Sequence, residues 1–310
     1  MKGEELPMTS TSETAEHGTD KGRSVPAIPA LSCDCHMHIF GPLSVFPYFA
    51  GRIYTPPEAA ISDYLAMRKR LGLERVVLVQ PSVYGTDNDC HMDAMARIPG
   101  ARGVAVIDGN EPDAELELLH KAGFRGARIN LMQGSVDDPI ETVLERFGAR
   151  LREIGWHLQI FTRPEILSSV EPILMRFPVP VMLDHFADLS PWEGTSQPGF
   201  DVVSRLLTDG PCSMKLSAAY HHPRREQEGG PDKARELVTT LVERAPERLV
   251  WGSNWPHPNV TPRTTATEAP IAHFREVDDV VMLKLLLDWV PDKTMLKQIL
   301  VDNPAKFYDF

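Results

Sequence analysis

Two histidines separated by one residue, His36 and His38, lie in Asp34-Cys35-His36-Met37-His38-Ile39, a short stretch that reads as a strand. Alternate side chains of a strand share a face, so both imidazoles can converge on one small target. The flanking thiols Cys33 and Cys35 are expected on the opposite face, as buried structural groups rather than a metal thiolate pair. Near the other end, Arg248-Leu249-Val250-Trp251-Gly252-Ser253-Asn254-Trp255-Pro256-His257-Pro258 runs from an apolar strand into a polar, proline-stopped loop. Polar groups at the strand ends in both places suit the floor of an active site.

The elements that must position these residues recur regularly. Eight β-rich apolar runs cover 33–39, 75–81, 102–107, 124–130, 156–161, 179–186, 212–217 and 248–252. Helical patterns lie between them at 57–71, 88–98, 112–121, 139–154, 164–177, 200–208 and 232–245, with terminal helices at 280–289 and 293–301. Apolar strands alternating with helices predict an α/β fold, a (β/α)8 TIM barrel, over a doubly wound sheet, which would carry a glycine-rich turn where His36 and His38 stand. In a barrel, chemistry sits at the C-terminal ends of the strands. Polar residues there are His36, His38, Ser82, Arg128, Asn130, Thr162, Asp184, His185, Ser217, Asn254 and His257.

Other prominent residues have simpler readings. Alternation should turn Asp184 away from His185, so no Asp–His dyad is expected there. Trp156, Trp192, Trp251 and Trp255 read as packing, and Asp87 or Thr86 as a helix cap. At least one of His221 and His222, in a polar loop with Arg224, Arg225 and Glu226, is expected to be solvated. His91, His120 and His273 fall in helical patterns and are assigned no chemistry.

The chain has 310 residues, with 32 Lys and Arg against 43 Asp and Glu, a formal charge of −11. That balance disfavours a nucleic-acid surface and supplies no polybasic membrane patch, so an anionic substrate needs a local cation. Residues 1–30 read as a flexible tail without a signal core, residues 31–310 as the barrel domain, and the protein as cytoplasmic. Four scattered cysteines make no disulfide framework.

The HxH of the first strand, His185 after the sixth and the Trp-Gly-Ser-X-Trp-Pro-His turn after the eighth resemble the amidohydrolase superfamily. Within it, 34–42, Gln80-Pro81-Ser82-Val83-Tyr84-Gly85-Thr86-Asp87-Asn88 and the eighth-strand turn are similar to the 2-pyrone-4,6-dicarboxylate lactonase branch, over residues 31–310. The resemblance implies metal-free hydrolysis of a small cyclic ester. His36, His38 and His185 would polarise the carbonyl and Arg128 would anchor a carboxylate. Tyr54, Ser82, Phe161, Ser217 and His257 are the remaining candidates for the pocket. An eighth-strand aspartate would take the proton of the attacking water.

Two departures from that pattern bear on function. Asn254 stands at the aspartate position, and a carboxamide cannot act as a base. The chain is then an inactivated variant, an enzyme using His185 or His257 as base, or a catalyst of a reaction that needs no base there. Second, the arginines expected shortly after Arg128 and after the seventh strand are missing from Asn130-Leu131-Met132-Gln133-Gly134 and Ala218-Ala219-Tyr220-His221-His222, which predicts a less charged lactone or related cyclic carbonyl compound. Two alternatives are a metal-dependent amidohydrolase or decarboxylase holding a divalent ion such as zinc on the three histidines, and a small-molecule binder without catalysis. The neutral Asn254, and the lack of a Lys or Glu at the fourth or fifth strand end, weigh against the metal.

Overall fold

The computed structural model describes residues 24–132, 138–224, 229–259 and 271–310. Its eight strands are β1 (Cys33–Met37), β2 (Arg75–Val79), β3 (Arg102–Ala105), β4 (Phe124–Asn130), β5 (His157–Phe161), β6 (Val181–Leu183), β7 (Cys212–Ser217) and β8 (Leu249–Gly252). They pair in chain order, all parallel. The ring closes through the turn after β8: Asn254 N donates to His36 O at 2.8 Å, and His38 N to Trp255 O at 2.8 Å. The first histidine pair and Asn254 are therefore neighbours across the closing seam.

Between the strands run α1 (Ile61–Leu71), α2 (Asp89–Ala96), α3 (Asp113–Ala122), α4 (Ile140–Ile154), α5 (Pro164–Leu174), α6 (Phe200–Thr208) and α7 (Gly230–Arg244). After β8 come α8 (Asp279–Trp289), α9 (Lys293–Lys297), a π-helical turn (Gln298–Asp302) and α10 (Asn303–Tyr308). α4 shows why such segments fold as expected: Val143, Leu144, Phe147 and Leu151 make one buried stripe, and Gly155 ends the helix at a left-handed φ of 70°. Asp278 caps α8 by accepting from the amides of Val280 and Val281. Asp87 likewise accepts from Asp89 N at the start of α2. Among the described residues no helix is long and apolar enough to cross a membrane.

Among the departures from the sequence pattern, three bear on how the chain runs around the site. α1 begins at Ile61 rather than Pro57, because Ala59 exchanges backbone hydrogen bonds with Phe40 and the chain stays extended through Ala60. β6 stops at Leu183, since His185, Phe186, Ala187 and Asp188 all turn left-handed. His273 lies outside any helix, exposed, ahead of α8. Residues 1–23 of the expected tail lie outside the described residues, as do Arg225 and Glu226, whereas Val25 and Ile28 already pack on the core.

The core has two layers. A large one lies between strands and helices, and a smaller one inside the barrel contains Cys33, Cys35, Val77, Val79, Val104, Met182, Val250 and Tyr308. The thiols are thus on the inner face, not opposite the histidines. The reason is a bulge: Asp34 pairs with Val76 but Met37 with Leu78, so β1 carries one extra residue and alternation resets between Cys35 and His36. All four cysteines are free and buried. α10 and the last residues form the barrel floor, with His157 of β5 packed edge-on against Phe307 and Tyr308.

Candidate active site

The HxH strand is held from outside the barrel by Asp34. Its carboxylate accepts from His36 N (3.1 Å), Ser253 N (2.9 Å), Ser253 Oγ (2.7 Å) and Tyr64 Oη (3.2 Å), joining β1, α1 and the turn after β8. Burial pushes this carboxyl up to about 6 despite the serine bonds. Gly252 lets β8 approach β1, since a Cβ there would lie 2.7 Å from His36 Cβ and 2.8 Å from its backbone nitrogen.

Beneath the histidines is a buried charged cluster. Asp184 Oδ2 accepts from Arg128 Nε at 2.9 Å and Gln159 Nε2 at 3.0 Å. Its Oδ1 faces Lys215 Nζ at 3.2 Å and His36 Nδ1 at 3.3 Å. Lys215, fully buried on β7, also donates to Gln159 Oε1 at 2.7 Å and lies 3.1 Å from His36 Nδ1. Burial alone would raise the Asp184 carboxyl, but Lys215 and its other partners outweigh it and hold the group well below the usual range. Asp184 therefore points into the site, against the alternation expected for it. The left-handed turn starting at His185 breaks the strand period, and the partner of Asp184 is His36 rather than His185.

The imidazoles form a compact group. His36 Nε2 and His38 Nε2 are 3.2 Å apart, and the His36 and His185 ring centroids 4.5 Å apart. His38 Nδ1 contacts Val79 O at 2.6 Å; a carbonyl only accepts, so Nδ1 bears the proton. His185 Nδ1 lies 2.8 Å from Ser217 Oγ. Burial, helped by Arg128, drives His38 down to about 3. Burial with Lys215 depresses His36, and burial with His36 depresses His185, both well below the ordinary imidazole value. All three are neutral at physiological pH.

Above this group opens a cleft of about 470 Å³. His38, His185, Asn254, Tyr54, Ser82, Arg128, Asn130 and Phe161 line it. Three expected residues stand behind the lining instead. His36 lies under His38 and His185, and Ser217 holds His185. His257 Nδ1 is 2.9 Å from Tyr220 Oη, which accepts from Asn254 Nδ2 at 2.9 Å. Asp279 Oδ1 lies 3.3 Å from His257 Nε2, so a polar chain backs Asn254. Thr162 is buried and not among the lining residues.

Several lining residues are absent from the sequence reading. Arg163 follows β5 and Arg275 precedes α8; both are exposed and line the cleft with Arg128. The cations sought beside β4 and β7 thus arrive from other segments, which removes the argument for a weakly charged substrate. His221 lines the cleft too, its ring centroid 5.0 Å from that of His185, and burial lowers it to about 4. His222 pairs with Asp188 at 3.4 Å, and both histidines are half-buried, so neither is simply solvated. Lys215 had a usable signal: a lysine inside the apolar β7 must find charged partners.

The description "Amidohydrolase" belongs to the family model that matches residues 33–310. The chain belongs to the amidohydrolase family. It is 34% identical to a 4-sulfomuconolactone hydrolase of Rhizobium radiobacter over 93% of this chain and 94% of that one. It is 28% identical to a D-galactarolactone isomerase of Agrobacterium fabrum, with 91% and 92% covered. A solved Acinetobacter baumannii structure described as a probable 2-pyrone-4,6-dicarboxylic acid hydrolase, with citric acid bound, superposes with a TM-score of 0.74 at 25% identity, covering 90% of this chain and 100% of that one. Membership of this lactonase-like branch agrees with the motifs of β1, β2 and β8.

Proposed function

We propose that the protein is a metal-independent enzyme acting on a lactone that bears acidic substituents. The observation that carries this reading is the convergence of His38, His185, Asn254 and three arginines on one cleft. With Ser217 Oγ donating to His185 Nδ1, the Nε2–H of His185 is free to polarise the lactone carbonyl, a donor of a kind that lowers such barriers by about 3 kcal/mol. Arg128 lies over the Phe161 ring at 5.6 Å and keeps its Nε on Asp184, leaving its NH2 groups for one acidic group. Arg163 and Arg275 serve a second. Hydrolysis by relatives named for sulfonated and dicarboxylated lactones supports a substrate of that class.

The donor set does not fit a divalent ion. His36, Asp184 and His185 have ligand atoms within 4.8 Å of one another. Their single carboxylate is already matched by Lys215 and Arg128, so an ion would add two positive charges to a buried cluster with no anion left to offset them.

Asn254 favours a second reading, transfer of the lactone acyl group to a hydroxyl of the substrate itself. His38 Nε2 has a lone pair, but its depressed basicity makes it a weak base for water. Isomerisation between two lactones consumes no water, and a relative bears the name of such an isomerase. Incubating acidic lactones with chelator-treated enzyme in heavy-oxygen water separates the readings. Labelled acid means hydrolysis, a new unlabelled lactone means isomerisation, and turnover only after zinc addition refutes metal independence.

A further inference from the structure

Two contacts of His36 set its tautomer against a third, Asp184 Oδ1, which lies 3.3 Å from Nδ1 and would favour a proton there. An ammonium has no lone pair, so the 3.1 Å contact of Lys215 Nζ requires the lone pair of His36 Nδ1. On the other side, His38 is protonated on Nδ1 toward Val79 O, so its Nε2 presents a lone pair to His36 Nε2 at 3.2 Å. That second contact requires a proton on His36 Nε2. Both demand the same form, with Nδ1 bare and Nε2 protonated.

We propose that Lys215 is a positioning residue, a built-in cation that keeps the His36 proton on Nε2 and thereby excludes divalent metals from the histidine group. Remove the ammonium and His36 Nδ1 becomes free to donate to Asp184 Oδ1, 3.3 Å away. The Nε2 lone pairs of His36 and His38 then face each other, with their Nδ1 protons held by a carboxylate and a backbone carbonyl, the outer arrangement of metal-binding histidines. His185 completes a set of three nitrogens. The inference rests on the metal-free reading above and adds the residue responsible for it.

The test measures zinc bound after equilibrium dialysis of the full chain, for wild type, Lys215→Met and Lys215→Gln, with nitrogen NMR of the imidazoles. Wild type should hold no stoichiometric zinc and show His36 protonated on Nε2. Each variant should take up one zinc, with affinity raised on the order of 10- to 100-fold, and His38→Ala in the Lys215→Met background should abolish the gain. A stoichiometric zinc on wild type, or folded variants that gain none, overturns the proposal. If neither variant folds, wild-type His36 protonated on Nδ1 overturns it and protonation on Nε2 upholds it. Metal-free lactone turnover without zinc gain in the variants would remove only the role of Lys215; zinc gain without lactone turnover in wild type would remove only the functional reading.

Discussion

Moving from pH 7 to pH 5 should cost the fold at least about 6 kcal/mol, through histidines buried in the neutral form. Burial brings His38, His91 and His157 each down to about 3 and His221 to about 4, from an ordinary 6.5, and depresses His36 and His185 in the same sense. Between those values the unfolded chain binds protons that the folded chain refuses, so this stability is complete above pH 6.5 and is lost as pH falls toward 3. Each of the first four contributes about 1.9 kcal/mol over the two pH units considered. Asp34 acts oppositely: raised to about 6, it takes up a proton in the folded state first and returns about 1.3 kcal/mol on acidification. Urea unfolding at pH 7 and pH 5, at constant ionic strength, reads the difference directly. His157 supplies the control, because it packs among aromatic side chains on the barrel floor, away from the cleft. In His157→Phe the acid loss should shrink by about 2 kcal/mol. Equal stability at both pH values, or an acid loss untouched by His157→Phe, would refute the assignment of the protons to buried imidazoles.

Other perturbations test the site. Asn254→Asp introduces a carboxylate at the cleft and should raise lactone hydrolysis by about 10²- to 10⁴-fold, measured as acid release; no gain would mean that the attacking water does not sit there. Arg163→Gln and Arg275→Gln should each raise KM for an acidic lactone by about tenfold while leaving the melting temperature unchanged, since both side chains are exposed. Arg128→Met should weaken binding and also destabilise the fold by about 3 kcal/mol, because it strips a partner from buried Asp184; a purely kinetic effect would contradict the ion pair. Asp34→Asn puts an NH2 where donors already converge and should cost about 2 kcal/mol in denaturant titrations.

The barrel was legible because its signals are local and periodic. Each strand and helix announces itself over five to fifteen residues, and α4 or α6 begin and end within a residue or so of where their apolar stripes and caps place them. His38, His185, Arg128 and Asn254 were legible for a similar reason, as polar residues at strand ends. What escaped depended on breaks in period or on distant chain segments. One extra residue in β1 moved Cys33 and Cys35 to the inner face, and the turn at His185 brought Asp184 inward. Arg275 reaches the cleft from a segment with no strand-end position, so spacing along the sequence could not place it, whereas Arg163 was passed over although it stands one residue beyond Thr162 at the end of the fifth strand. Lys215 was overlooked because the strand around it is apolar, although that setting is what makes its charge informative.

The left-handed run from His185 to Asp188, with φ of 51°, 56°, 54° and 60°, sets stability and activity against each other at one place. Such conformations cost L-residues roughly 1–2 kcal/mol each, and a glycine at Ala187 would adopt its φ without that penalty. The same replacement would free the segment to leave the arrangement that aims His185 and Asp184 into the cleft. Selection for heat resistance alone should therefore favour glycine here, whereas selection for turnover should keep the side chains and accept a less stable barrel.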